Sequence, residues 1–196
     1  RAADEEFGTR VVVEGGPAKR EPHGAPKGTT VSVRHLFRNI PARRKFLRTV
    51  ATETTRVQTL VTRYALAYPE VRFRLSADGS QSIATTGSGD LREALASVYG
   101  LVVGQAMLEI SPEPEGDGAP PVRITGMTGP PSLDRANRGH ISLFVNRRWV
   151  QSRSLGYALE QAYHGFLMER RFPVAVVNVA LPHEDVDVNV HPAKTE

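Results

Sequence analysis

Apolar positions along the chain fall into short runs of two periods. Residues 7–14 (FGTRVVVE) form a β-branched run closed by Gly15-Gly16-Pro17, which predicts a strand with a turn behind it. From Lys19 to Lys27 there are turn residues and no apolar period, so a polar loop is expected. Residues 29–37 (TTVSVRHLF) alternate, with Val31 and Val33 on one face and Ser32 and Arg34 on the other, predicting a half-buried strand that pairs with the first. Asn39-Ile40-Pro41 reads as a helix start, because Asn can cap orphan amides and proline has no amide to lose; a short helix over 42–49 follows. A longer helix is predicted over 54–68, with Val57, Leu60, Val61, Tyr64 and Tyr68 as its apolar face and Pro69 as its stop. Residues 71–75 and 81–84 flank Asp78-Gly79 and read as a hairpin.

The small residues of 85–89 (TTGSG) interrupt this pattern and place a domain boundary, giving units 1–88 and 89–196. The second unit reads as helix 91–99, strand 106–110, a Pro, Gly and Glu-rich loop 111–120, and strands 122–127 and 141–145. A helix over 152–167 with Leu155, Leu159, Ala162 and Phe166 on one side and a strand over 174–181 complete it. Interleaved strands and helices imply an α+β fold built from two α/β-sandwich units.

Composition narrows the function classes. No apolar run approaches the ~20 residues that span a bilayer, and the N-terminus lacks the layout of a secretory signal, so a cytoplasmic protein with no membrane partner is expected. The absence of cysteine excludes disulfides and thiolate chemistry. Arg1 at the start and Glu196 directly after a strand-like run suggest an excised piece. A formal charge of +4 and a pI near 9.7 favour an anionic partner, but the distribution of charge says more.

Residues 34–48 (RHLFRNIPARRKFLR) carry Arg34, Arg38, Arg43, Arg44, Lys45 and Arg48 with no acidic residue. Arg43, Arg44 and Lys45 fall in the first turn of the expected helix, where each cation opposes the helix dipole at about 0.3–1 kcal/mol. Phosphates would explain them, and a solvated basic face is the alternative; Phe37 and Phe46 read as core anchors. A second cluster, 146–153 (NRRWVQSR), lies between a strand and a helix. Arg147, Arg148 and Arg153 suit a sugar-phosphate contact, or else Trp149 covers the core edge and the arginines are solvated.

In 183–194 (HEDVDVNVHPAK), Asp185, Asp187, Asn189 and His191 alternate with valines and share one strand face. That spacing splays the side chains ~6.5–7 Å apart, so a polar strand edge that leads to a point charge at Lys194 is favoured over a metal site. No phosphate-binding Gly-Lys-Ser/Thr loop, dinucleotide fingerprint or nucleophile elbow occurs.

Three stretches together resemble the MutL family of DNA mismatch-repair proteins: 28–47 (GTTVSVRHLFRNIPARRKFL), 143–150 (LFVNRRWV) and 186–194 (VDVNVHPAK). The resemblance covers essentially the whole chain and implies the C-terminal part of a GHKL-type ATPase domain followed by a transducer domain of the ribosomal-protein-like βαβ type. It implies that Thr29 helps hold the adenine side of ATP and that Lys194 reaches the γ-phosphate. Lys45 and Arg153 resemble positions facing the family's DNA groove. The family's water-activating glutamate, magnesium-holding asparagine, adenine pocket and lid are absent from this sequence, so the chain alone is expected not to hydrolyse ATP or to bind it tightly. In the intact protein the resemblance implies ATP with magnesium, a homodimer, DNA of either strandedness without sequence preference, and a mismatch-recognition partner of the MutS type. Rival readings are a small-molecule kinase, for which the Gly-rich phosphate loop is missing, and an RNA-binding or protein-interaction module of the same fold.

Overall fold

The computed structural model describes residues 1–110 and 122–186. The fold is α+β, and the chain divides into two compact units, Arg1–Glu53 and Thr54–Glu196.

The first unit is built on a hairpin of β1 (Gly8–Val12) and β2 (Lys19–His23), antiparallel with Val12 opposite Lys19 and with Arg10 bonded to Glu21 at 3.1 Å. The strand at 7–14 is therefore present, but its partner is the stretch expected to be a polar loop. Residues 29–37 form no strand, and Val31 and Val33 are 80% and 71% exposed. An alternating pattern becomes a strand only where a neighbouring edge takes up its amides; closure across the short Gly15-Gly16-Pro17 turn costs less chain entropy than closure across the longer loop.

A single turn, α1 (Pro41–Arg44), replaces the helix expected over 42–49. Proline stands at its first positions, but the cap residue is Ile40 and no side chain caps it. The next helix, α2 (Val50–Ala67), starts four residues earlier than expected. Thr49 Oγ1 accepts the Thr52 amide at 3.3 Å and the Glu53 carboxylate accepts the Arg48 amide at 2.9 Å, two capping bonds spread over six residues.

In the second unit only Ala65 and Leu66 of α2 are buried. Val57, Leu60 and Tyr64, expected to face a core, are about half exposed. The hairpin β3 (Arg74–Ala77) and β4 (Ser80–Ala84) forms as expected, with Asp78 at φ 49° and Gly79 at φ 80° in its turn. This is the left-handed pair that a two-residue hairpin turn requires, and Asp-Gly supplies it.

Asp90 caps α3 (Leu91–Tyr99) by accepting the Arg92 amide at 2.7 Å. A further helix, α4 (Leu101–Ala106), takes the first residue of the strand expected over 106–110 and leaves β5 as Leu108–Ile110. A Cβ at Gly104 would stand 2.7 Å from the Ala96 Cβ, so the close approach of α3 and α4 depends on that glycine.

Strands β6 (Arg123–Thr128), β8 (Ile141–Val145), β9 (Arg148–Val150) and β11 (Ala175–Ala180) join β5 in a five-stranded sheet of order β5-β6-β11-β8-β9. β11 runs parallel to β8 and antiparallel to β6, and α5 (Arg153–Ala162) lies in the crossover between β8 and β11. Two short strands, β7 (Asp134–Arg135) and β10 (Phe172–Pro173), pair beside it. α5 ends five residues before the expected 167, and Phe166, assigned to its apolar side, is 71% exposed.

One face of the sheet carries Met127, Phe144, Val174 and Val176 against Leu66, Leu95 and Val103 from the helices and Met107 just after α4. Trp149 and Tyr99 pack on the margin of this cluster.

Candidate nucleic-acid interface

Arg43, Arg44 and Lys45 of the first unit are all exposed, and no side-chain hydrogen bond or ion pair from them occurs among the described residues. Their setting corrects the dipole argument. Because α1 is a single turn, Arg43 and Arg44 stand in its last turn and Lys45 at its C-cap, where a cation is not opposed. What remains is exposed charge with no carboxylate partner among the described residues. Phe46 is 79% exposed and so is not a core anchor. His35 and Phe37 hold φ values of 52° and 62°, a left-handed turn of two non-glycine residues inside the basic stretch. Thr29 is exposed and lines an open cleft of 1230 Å³ together with Arg10, Arg34 and Arg38.

The second cluster is a hairpin and not the expected loop. Asn146 (φ 47°) and Arg147 (φ 66°) form the two-residue turn between β8 and β9, and asparagine tolerates that conformation. The Asn146 amide group donates to the Leu181 carbonyl at 2.9 Å and accepts the Leu181 N–H at 3.0 Å, tying the turn to the chain leaving β11. The Arg147 N–H donates to Asn178 Oδ1 at 2.8 Å.

The three arginines of this cluster have different surroundings. The Arg147 guanidinium donates to the Ala67 carbonyl at 2.8 Å and to both Glu70 carboxylate oxygens at 2.5 and 2.7 Å, and lies 4.3 Å from the Tyr68 ring centre. This bidentate bond holds the Glu70 carboxyl below its ordinary range. Arg147 therefore fastens the turn to the end of α2. Arg148 is exposed, on the face of β9 opposite to Trp149. Arg153 is exposed at the first position of α5, after Ser152 has capped the Leu155 amide at 3.3 Å.

Sequence reasoning missed Arg63. Its guanidinium lies 3.5 Å from the centre of the Trp149 ring, and burial lowers its affinity for the proton. No local motif marks such a pair; a cation within the expected helix and a lone tryptophan were the only signals. Two further ion pairs, Arg138 with Glu160 and Arg171 with Asp134, tie α5 and the β10 region to the β7 region.

Lys194, Asp187, Asn189 and His191 lie outside the described residues, as does the loop 111–120; Asp185 ends a turn of 3-10 helix over His183–Asp185. Among the described residues no group of three or more His, Cys, Asp or Glu side chains is placed to hold a metal ion. None of its described helices is long and apolar enough to cross a membrane.

Comparison with known proteins gives these surfaces their context. Residues 95–196 match the family model described as DNA mismatch repair protein, C-terminal domain. The chain is 43% identical to the DNA mismatch repair protein MutL of Symbiobacterium thermophilum over 197 aligned positions, covering all of this chain and 30% of that protein. It is 40% identical to MutL of Shouchella clausii, covering 96% of this chain and 28% of that one. The chain thus spans about 30% of the length of these relatives.

Among solved structures, the Aquifex aeolicus MutL ATPase domain complexed with ADP aligns with a TM-score of 0.70 and 29% identity, over 93% of this chain and 65% of that one. The N-terminal domain of a DNA repair protein aligns with a TM-score of 0.74 and 25% identity, over 91% and 57%. The three motif-bearing stretches, the α+β architecture and these matches agree: the chain belongs to the MutL family of DNA mismatch-repair proteins.

Proposed function

We propose that this chain is the DNA-binding and nucleotide-coupling segment of a MutL-type GHKL ATPase. The observation that carries the DNA half is the contrast within the basic residues. Arg147 is neutralised by Glu70, while Arg43, Arg44, Lys45 and Arg153 are exposed without a carboxylate among the described residues. Exposed cations of this kind contact phosphates, which gives salt-dependent and sequence-independent binding. Arg148, exposed on the β8–β9 hairpin, is assigned the same role as Arg153 within the second unit.

The nucleotide half rests on family membership and on the ADP seen in the Aquifex aeolicus relative. In the intact protein ATP is held with magnesium by residues beyond this chain, Thr29 contributes a hydroxyl on the adenine side, and Lys194 reads the γ-phosphate. The 196 residues alone do not hydrolyse ATP. We place the join between the ATPase and transducer parts at 88/89, which lies inside the compact unit Thr54–Glu196 and seven residues before the family match begins at 95. The intact protein is a cytoplasmic, nucleoid-associated homodimer that meets a MutS-type mismatch-recognition protein.

The test is a titration with duplex and single-stranded DNA at rising salt, with structured RNA of equal length beside it. Affinity should fall linearly with salt on logarithmic axes and drop in the Lys45→Glu, Arg153→Glu double variant. Affinity indifferent to both salt and these charges removes the DNA half; a clear preference for RNA replaces it.

A further inference from the structure

The β8–β9 hairpin and α2 are joined by two cation–aromatic contacts that run in opposite directions. Arg63 of α2 lies over Trp149 of β9 at 3.5 Å, and Arg147 of the hairpin turn lies over Tyr68, just past the end of α2, at 4.3 Å. Arg147 adds the Ala67 carbonyl and the Glu70 carboxylate. On the opposite side of the turn, Asn146 and Asn178 fix it to β11 and Leu181. A four-residue path, Val150 to Arg153, leads from this hairpin into the first turn of α5.

We propose that Arg63, Trp149, Tyr68 and Arg147 act as a reciprocal clamp that positions the phosphate-contacting side chains Arg148 and Arg153, without themselves touching nucleic acid. The inference rests on the DNA reading above and deepens it. The geometry favours a positioning role for three reasons. Trp149 is spent on the core margin and on Arg63, so it is not a base-stacking platform. Arg147 has its charge met by Glu70, so it brings little net attraction for a polyanion. Arg148 lies on the strand face opposite Trp149, so the hold on one face sets the direction of the other.

A two-residue turn with both residues left-handed is a stiff support, and a surface whose cations are already oriented loses less side-chain freedom on binding. Loosening the clamp should therefore act on how many phosphates are engaged and not only on stability.

The experiment measures the salt dependence of duplex DNA binding by the 196-residue chain, well below its melting temperature. Its variants are Arg63→Ala, Arg63→Lys, Trp149→Phe and the double change Arg148→Ala with Arg153→Ala. The double change should lower the slope of log affinity against log salt by about 1.8, the loss of two phosphate contacts. Arg63→Ala should reproduce most of that loss and weaken binding by roughly tenfold at moderate salt. Arg63→Lys and Trp149→Phe, which keep a cation over an aromatic ring, should retain the wild-type slope. An Arg63→Ala chain that melts lower but binds with the wild-type slope overturns the clamp and leaves the DNA reading intact. A double variant with an unchanged slope removes the DNA role of this hairpin, and the clamp with it.

Discussion

The guanidinium of Arg63 stacks on the indole of Trp149, and it joins a helix of the first half of the sequence to an edge strand of the second. A partly desolvated contact of this type contributes about 0.5–2 kcal/mol. Replacing Arg63 by alanine should lower the stability of the second unit within that range in a denaturant melt, while Arg63→Lys recovers part of it. No change in either would mean that the two groups do not interact in solution.

Three carboxylates, Glu70, Asp134 and Glu160, are each held below their ordinary range, first of all by a hydrogen bond from an arginine: Arg147, Arg171 and Arg138. The folded form then binds protons less tightly than the unfolded form. Their contribution is fully present above the unfolded values of 4.5 for Glu and 3.8 for Asp, and is lost as pH falls through the lower folded values. The triple variant Glu70→Gln, Asp134→Asn, Glu160→Gln should flatten the acid limb of the stability curve. An acid limb as steep as that of the wild type would refute the assignment.

The His140 pKa is also lowered, but because its charged form is disfavoured and not because it is paired. Burial against Tyr99, with rings 4.8 Å apart, and then the nearby Arg135 charge, disfavour its protonated form. Because the unfolded chain takes up this proton more readily, stability should decline as pH drops below 6.5 towards the lower folded value. His140→Phe should remove that slope between pH 7 and 5; thermal melting across the interval reads it directly.

Phe144 is 2% exposed at the centre of the sheet face, and its truncation to alanine should cost about 3–5 kcal/mol. Gly126→Ala should be at least as damaging, because the added Cβ would meet the Val176 carbonyl oxygen at 2.0 Å, backbone that cannot step aside. By contrast, Leu60→Gln on the exposed side of α2 should stay within about 0.5 kcal/mol of wild type. A large loss at Leu60 would show that the helix buries that face.

Where local rules decide the outcome, the sequence was readable. Asp78-Gly79 dictates its hairpin because only that turn matches the strand twist, and the Leu91–Tyr99 helix follows from its apolar period. The alternation of 29–37 was equally clear but depends on a sheet edge to accept it, and no local signal reports whether one is in reach. The apolar face of α2 failed for the same reason, since Val57, Leu60 and Tyr64 state a wish to be covered and not by what.

At the candidate site, charge was legible and pairing was not. The basic clusters stood out as runs, yet the role of Arg147 turns on Glu70, far away in sequence. The dipole argument for Arg43 to Lys45 failed on a boundary: a helix of four residues reverses which end those cations occupy.

The central claim is that the exposed basic side chains of this chain engage the phosphate backbone and not the bases. Its most direct test is the affinity of the 196-residue chain for several duplexes of equal length and unrelated sequence, measured across a salt series. The account predicts one common affinity at each salt concentration and one common, steep slope. A strong preference for one sequence, or a slope near zero, would contradict it.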